Sequence, residues 1–232
     1  MSTDRIAITG LQMPDDFEAA SYNAVNSRIW PLQQAHPIPW EEYVSAWRGI
    51  AYRFCACADY DESFTELFQV HGYNPPGTEL YRRERYLYGF FVSGLSVIES
   101  FCYGLFAIGA MLKPSMFPIV AEKDRRNIDP KNTQQQFAKA FPKEGLTKTL
   151  QDLLRDTNYK DWKDVRNILS HRVSPQLTQY GGGDQPIPPE WEIKSGVVLD
   201  QGLTTFKRSW LVATLRDLLQ AADSFTRHRF LQ

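Results

Sequence analysis

Residues 166–171, "RNILSH", place an arginine, an asparagine and a histidine within two helical turns of one another. Those three residue types suit work on a phosphate. Histidine exchanges a proton near neutral pH, the arginine guanidinium offers a planar fork of donors to phosphate oxygens, and asparagine can orient either neighbour. On a helix at 100° per residue, Trp162, Val165 and Leu169 fall within about 60° of one another, with Ile168 beside them. That arc is the core face. Lys163, Asn167, Ser170 and His171 take the opposite arc, with Arg166 at its edge. Asn167 and His171 are i,i+4 neighbours, whereas Arg166 and His171 diverge by about 140°. One helix therefore does not bring Arg166 and His171 onto one phosphate, but two copies facing each other across a two-fold axis can. The same residues also fit a plain solvated helix face, where a histidine near the C-terminus is favoured by the helix dipole.

An element earlier in the chain must hold this motif in place. Residues 87–112, "LYGFFVSGLSVIESFCYGLFAIGAML", form the most apolar stretch, with Phe91, Leu95, Ile98, Cys102, Leu105, Ile108 and Leu112 recurring at the helical period. A helix from a Thr78 cap to about Lys113 is expected as the spine of the domain. The stretch is long enough to span a bilayer, but a mid-span carboxylate, Glu99, and three serines favour a buried core helix. Ser93, Ser96, Ser100 and Tyr103 step along this helix beside Glu99 as a polar seam. Buried polar groups are costly unless paired, so Glu99 calls for a cation, and Arg166 is the candidate. A structural ion pair tying two helices together would look the same.

Further helices are expected from Asp15 to Trp30, from about Glu41 to Val70, over "TQQQFAKAF" and "LTKTLQDLLRD", from Tyr159 to Arg172, and from about Thr204 to Arg229. "EKDRRNIDPKN" reads as a charged loop. "SPQLTQYGGGDQPIPPE", with three consecutive glycines and four of the fourteen prolines, cannot be regular helix. "WEIKSGVVLD" follows as two β-prone runs around a two-residue Ser-Gly turn. The sum is an all-α bundle with one small β-hairpin excursion near residues 190–200.

"RNILSH" on a late helix, after a long helix with the mid-span acid of "GLSVIESF", resembles the HEPN superfamily (higher eukaryotes and prokaryotes nucleotide-binding domain), whose hallmark is R-x4–6-H, often with asparagine after the arginine. The motif proper covers six residues, and the architectural likeness runs from Thr78 to Arg229. The resemblance implies a single HEPN-like domain over residues 1–232, with 1–77 as an N-terminal helical extension completing the bundle. It also implies a homodimer with facing motif helices, and a metal-independent endoribonuclease of a toxin–antitoxin, phage-defence or RNA-processing type. In that role His171 serves as general base or acid at the ribose 2′-OH or the leaving oxygen. Arg166 stabilises the phosphorane charge, Asn167 orients the pair and Glu99 holds Arg166. A nucleotidyltransferase-like antitoxin is the partner this implies, and RNA the substrate. The family also includes members that keep the fold without cleaving RNA, so a non-catalytic dimeric module that binds a protein or nucleotide partner is the second expectation.

The bulk properties bound these readings. The 232 residues suit one domain and should bury roughly 70% of the unfolded surface. A net charge of −1 gives no global pull toward nucleic acid, so any phosphate-binding surface must be a local patch. Three cysteines, two of them separated by one residue, suit neither a disulfide framework nor a zinc site, and the N-terminus has no signal-peptide pattern. A cytoplasmic protein without cofactor, metal or membrane is expected. The basic clusters "EKDRRNIDPK" and "TRHRF" are solvated charge by default, and Trp47, Trp162 and Trp210 are core residues by default.

Overall fold

The computed structural model describes residues 10–171, 176–178, 190–193 and 196–230. The fold is an all-α bundle with a small sheet, as the periodicity predicts. Two long helices dominate, α2 (Pro37–His71) and α3 (Gly77–Leu112), which pack antiparallel along their length. α1 (Ala19–Ile29) lies against α8 (Gln201–Phe230), and α8 also contacts α2, α3 and α6 (Gly145–Arg155). On the other side of α3 sit α5 (Pro130–Ala140) and α7 (Thr157–His171), while α4 (Glu122–Arg125) is a single turn. α3 is long and apolar enough to cross a membrane, and 78% of its most apolar stretch is buried inside the bundle.

Local chemistry explains where the elements begin and end, and where sequence reading misplaced them. Pro37 opens α2 at a position where a missing N–H costs nothing, four residues before the expected start at Glu41. α1 starts at Ala19 rather than Asp15, and Pro31 does not end it abruptly. The chain instead tightens into a 3-10 turn over Trp30–Leu32. Thr78 does not cap α3, which starts at Gly77 after an extended Pro76 and has no side-chain cap. The charged stretch after Ala121 is partly helical: α4 takes up Glu122–Arg125, and Asp129, which accepts the N–H of Asn132 at 2.6 Å, starts α5 at Pro130, earlier than the apolar pattern shows. α7 ends at His171; Arg172, the expected last residue, lies outside the described residues.

The sheet runs β1 (Gln176–Thr178), β2 (Glu190–Ile193) and β3 (Val197–Val198), all antiparallel in that order. Its β2–β3 hairpin sits where expected, but the loop is longer than two residues. Ile193 pairs with Val197, and Gly196, at φ 75°, donates its N–H to Ile193 O at 2.8 Å. Buried Ile193 and Leu199 anchor this unit to the helices. Most of the Gly-Pro-rich stretch before β2 falls outside the described residues.

Aromatic side chains fill the core in three places. Tyr22, Tyr43, Trp47 and Phe101 join α1, α2 and α3, with Tyr22 Oη donating to Trp47 O at 2.9 Å and Trp47 Nε1 donating back to Tyr22 O at 3.2 Å. Phe117, Phe137, Phe141 and Phe225 gather around the far end of α3. Trp162 of α7 inserts beside Phe90 and Phe91 and donates Nε1–H to Phe91 O at 2.9 Å, with Trp210 of α8 behind it. Gly94 makes this insertion possible. A Cβ there would lie 2.8 Å from Cη2 of Trp162 and closer still to Cζ2.

Gly94→Ala gains about 1 kcal/mol of helix propensity. Against this stand overpacking of about 1–3 kcal/mol and a displaced indole hydrogen bond of about 1 kcal/mol. Chemical denaturation is expected to show a net loss of about 1–3 kcal/mol; an unchanged midpoint would mean that the indole is not seated on α3.

Candidate functional site

Two contacts fix α7 and its motif to the bundle. At its start, Asp156 accepts the N–H groups of Asn158 at 2.6 Å and Tyr159 at 3.4 Å, and its other oxygen accepts Trp210 Nε1–H at 3.1 Å. This N-cap ties α7 to α8. One turn and more further on, the Trp162 indole clamps α7 onto α3. Arg166 follows Trp162 by four residues, on the same side, and reaches the spine helix. Its Nη2 donates to Glu99 Oε1 at 2.8 Å.

The pair is half-buried, with 25% of the Arg166 side chain and 43% of the Glu99 side chain exposed. Nε of Arg166 is buried without an acceptor, and Glu99 is its one hydrogen-bond partner among the described residues. The guanidinium therefore has donors that no described residue engages. Asn167 and Ser170 are half-buried and His171 is exposed at the last turn of α7. No side-chain hydrogen bond joins Asn167 or His171 to another described residue. The structure thus brings Arg166 and Glu99 together and leaves His171 on a different side of the helix, as the 140° divergence requires.

Glu99 stands where two open clefts meet. The first, of about 450 Å³, lies between α2 and α3 and is lined by Arg53, Ser96, Glu99, Ser100, Tyr103 and neighbours. The second, of about 530 Å³, lies between α5 and α7 and is lined by Glu99, Lys131, Gln134, Tyr159, Lys160, Lys163 and neighbours. Asp129 and Pro130 border both. Arg166, Asn167 and His171 are in the walls of neither.

Beside Glu99, two side chains of the α3 seam, Ser100 and Tyr103, have partners among the described residues. Ser100 Oγ donates to Ser96 O at 2.6 Å and accepts from Arg53 of α2. Tyr103 Oη donates to Glu42 Oε2 at 2.8 Å, and Arg125 pairs with Glu42 at 3.4 Å. Burial, then Glu42, push the Tyr103 phenol pKa up, so it stays a neutral donor. Burial likewise raises the thiol of Cys102 far above its ordinary range, and Cys57 too, so neither is a nucleophile at neutral pH. Among the described residues no cluster of three or more histidine, cysteine or carboxylate groups could hold a metal.

Arg53 is the residue that sequence reading passed over. It makes no ion pair among the described residues, and its guanidinium lies back across Gly49, one turn earlier, to reach Ser100. A Cβ on Gly49 would run into that guanidinium and approach Ser100 Oγ to 3.4 Å. Gly49 and Arg53 at i,i+4 are visible in the sequence, but the serine they serve is 47 residues away on another helix. No known family model matches the chain, and no curated protein or solved structure matches it significantly.

A double-mutant cycle with Glu99→Gln and Arg166→Gln is expected to give a coupling of about 0.2–1 kcal/mol in unfolding free energy, the size of a half-exposed pair. A coupling indistinguishable from zero would mean that α7 is not pinned to α3 by this contact.

Proposed function

We propose that the protein is a HEPN-like, metal-independent endoribonuclease whose working site is composed across two copies of α7. The observation that carries this reading is the Arg166–Glu99 pair: the arginine of the "RNILSH" motif is oriented from the spine helix by one carboxylate and keeps a quarter of its side chain exposed. An arginine so held presents a fixed cation to a phosphate without paying to order itself at the moment of reaction.

In this mechanism His171 of one copy takes the proton of a ribose 2′-OH. The 2′-oxygen attacks the adjacent phosphorus, the bond to the 5′-oxygen breaks, and a second proton donor returns a proton to that leaving oxygen. The products are a 2′,3′-cyclic phosphate and a 5′-hydroxyl. Arg166 faces the equatorial oxygens, where charge accumulates, and Glu99 keeps it there. Asn167, one turn before His171, is within reach to orient the imidazole. The divergence of Arg166 and His171 on one helix makes a second copy of the chain a requirement of this chemistry, with His171 supplied from across the two-fold axis.

The alternative is a non-catalytic dimeric module that binds a protein or nucleotide partner. The observation favouring it is that Arg166, Asn167 and His171 line neither cleft beside Glu99. A cytoplasmic setting and a nucleotidyltransferase-like antitoxin partner belong to the ribonuclease reading and stand or fall with it.

Purified protein incubated with single-stranded RNA in EDTA is expected to release fragments ending in 2′,3′-cyclic phosphate, with loss of about 10²–10⁴-fold in rate for His171→Ala and a comparable loss for Arg166→Ala. Intact RNA after incubation with a folded, dimeric wild type would transfer the case to the binding module.

A further inference from the structure

Taken together, the two clefts that meet at Glu99 are lined by Arg53, Lys131, Lys160 and Lys163 against Glu42, Glu99 and Asp129, and Arg125 and Arg166 pair with two of those carboxylates. In the first, Glu42 is already engaged by Arg125 and Tyr103, and Glu99 by Arg166, while Arg53 makes no ion pair among the described residues. Ser96 contributes a half-buried hydroxyl beside it. In the second, Lys131 and Lys163 are exposed and make no ion pair or side-chain hydrogen bond with the described residues, and Lys160 donates only to the backbone carbonyl of Arg155, at 3.0 Å. Asp129, which borders both clefts, accepts from the backbone of α5 as its N-cap. Along the line from Arg53 to Lys163 the cations therefore outnumber the carboxylates, on a chain whose net charge is −1. A concentration of uncompensated charge in concave ground attracts a polyanion to that ground and not to the protein at large.

We propose that the two clefts form one continuous groove for the backbone of single-stranded RNA, with Arg53 and Ser96 holding a phosphate on one side of Glu99, and Lys131 and Lys163 holding phosphates on the other. This inference rests on the RNA reading of the motif and extends it, because it assigns the strand's path to residues outside "RNILSH", one of them on α2. Arg53 is fitted for the role: Ser100 fixes its fork, and Gly49 gives it the room to lie flat at the cleft wall. The lysines are exposed point charges on two different helices and suit a backbone that must slide rather than lock. Crevices between packed helices admit a single strand, whereas a duplex presents its phosphates on a wide cylinder that meets only their rims. The strand enters as an anion, so the carboxylate of Glu99 at the midpoint is tolerable only because Arg166 neutralises it.

The test is fluorescence anisotropy of a 5′-labelled 12-nucleotide single-stranded RNA in EDTA, on the His171→Ala background to keep the RNA whole. Arg53→Gln and Lys163→Gln are each expected to weaken binding about 3- to 10-fold at low salt and to lower the slope of log K against log salt by about 0.7. Arg48→Gln, an exposed arginine of α2 outside the groove, is expected to do neither, and a blunt duplex of the same sequence is expected to bind more weakly. Wild-type behaviour of either Arg53→Gln or Lys163→Gln would overturn the continuous groove, as would an equal loss in Arg48→Gln or equal affinity for duplex. If Arg53→Gln lowers the melting temperature enough to confuse the reading, Arg53→Lys keeps the charge and loses the fork. It should then retain the salt slope while losing affinity, and unchanged affinity would count against the subsite. RNA bound through the groove but never cleaved by wild type would keep the groove and remove the nuclease. Cleavage untouched by both substitutions would do the reverse.

Discussion

A carboxylate and a row of hydroxyls set into the most apolar helix of the chain constrain everything around it. α3 could have been apolar throughout, since most of its surface is covered by other helices. Instead Ser96, Glu99, Ser100 and Tyr103 interrupt one face, and each requires a partner or water. The partners arrive from different elements: Arg166 from α7, Arg53 and Glu42 from α2, and Arg125 from α4 behind Glu42. Pairs this exposed add little to stability, about 1 kcal/mol or less each. Their effect lies in placement: three elements distant in sequence are brought to one stretch of α3, and two open clefts remain between them.

Placement also depends on where the helices can approach. Gly94 lets the Trp162 indole sink into α3, and Gly49 lets the Arg53 side chain lie along α2. Both are small residues in helix interiors, where glycine costs about 1 kcal/mol relative to alanine. In each case the cost is offset by a large neighbour that occupies the missing Cβ's space. The indole sets the rotation of α7 about its axis. With Trp162 buried against Phe90 and Phe91, residue 166 must point at α3 and residue 171 must point elsewhere.

Much of this was legible in the sequence because it follows from period and composition. The seven-residue apolar ladder from Phe91 to Leu112 identified the spine, Trp162, Val165 and Leu169 gave the inner arc of α7, and the lone carboxylate at Glu99 asked for a cation. What the sequence hid was of two kinds. Helix starts set by a capping side chain or a proline, as at Asp129 with Pro130 and at Pro37, do not show in an apolar pattern, since the first turn need not touch the core. Contacts between residues far apart in the chain, such as Arg53 with Ser100, depend on how α2 and α3 align, and no local rule fixes that alignment. For the same reason Lys131, on α5, and Lys163, on α7, show their common cleft only once both helices are placed.

The orientation of α7 bears directly on what the motif can do. Arg166 and His171 are separated by about 7.5 Å of rise as well as by their angular divergence. Arg166 is committed to the α3 side by Glu99, and His171 faces solvent at the helix end. A phosphate bound to the arginine of one chain therefore lies on a different side of α7 from that chain's own imidazole. Repacking α7 to bring them together would have to extract the Trp162 indole from Phe90, Phe91 and Trp210 and break its hydrogen bond to Phe91, a loss of several kcal/mol for a buried tryptophan. Placing a second α7 opposite the first costs no such repacking, because His171 is already exposed. The tryptophan that anchors the helix thus keeps Arg166 and His171 of one chain on different sides of α7, and the ribonuclease proposed above would have to draw its imidazole from a second chain.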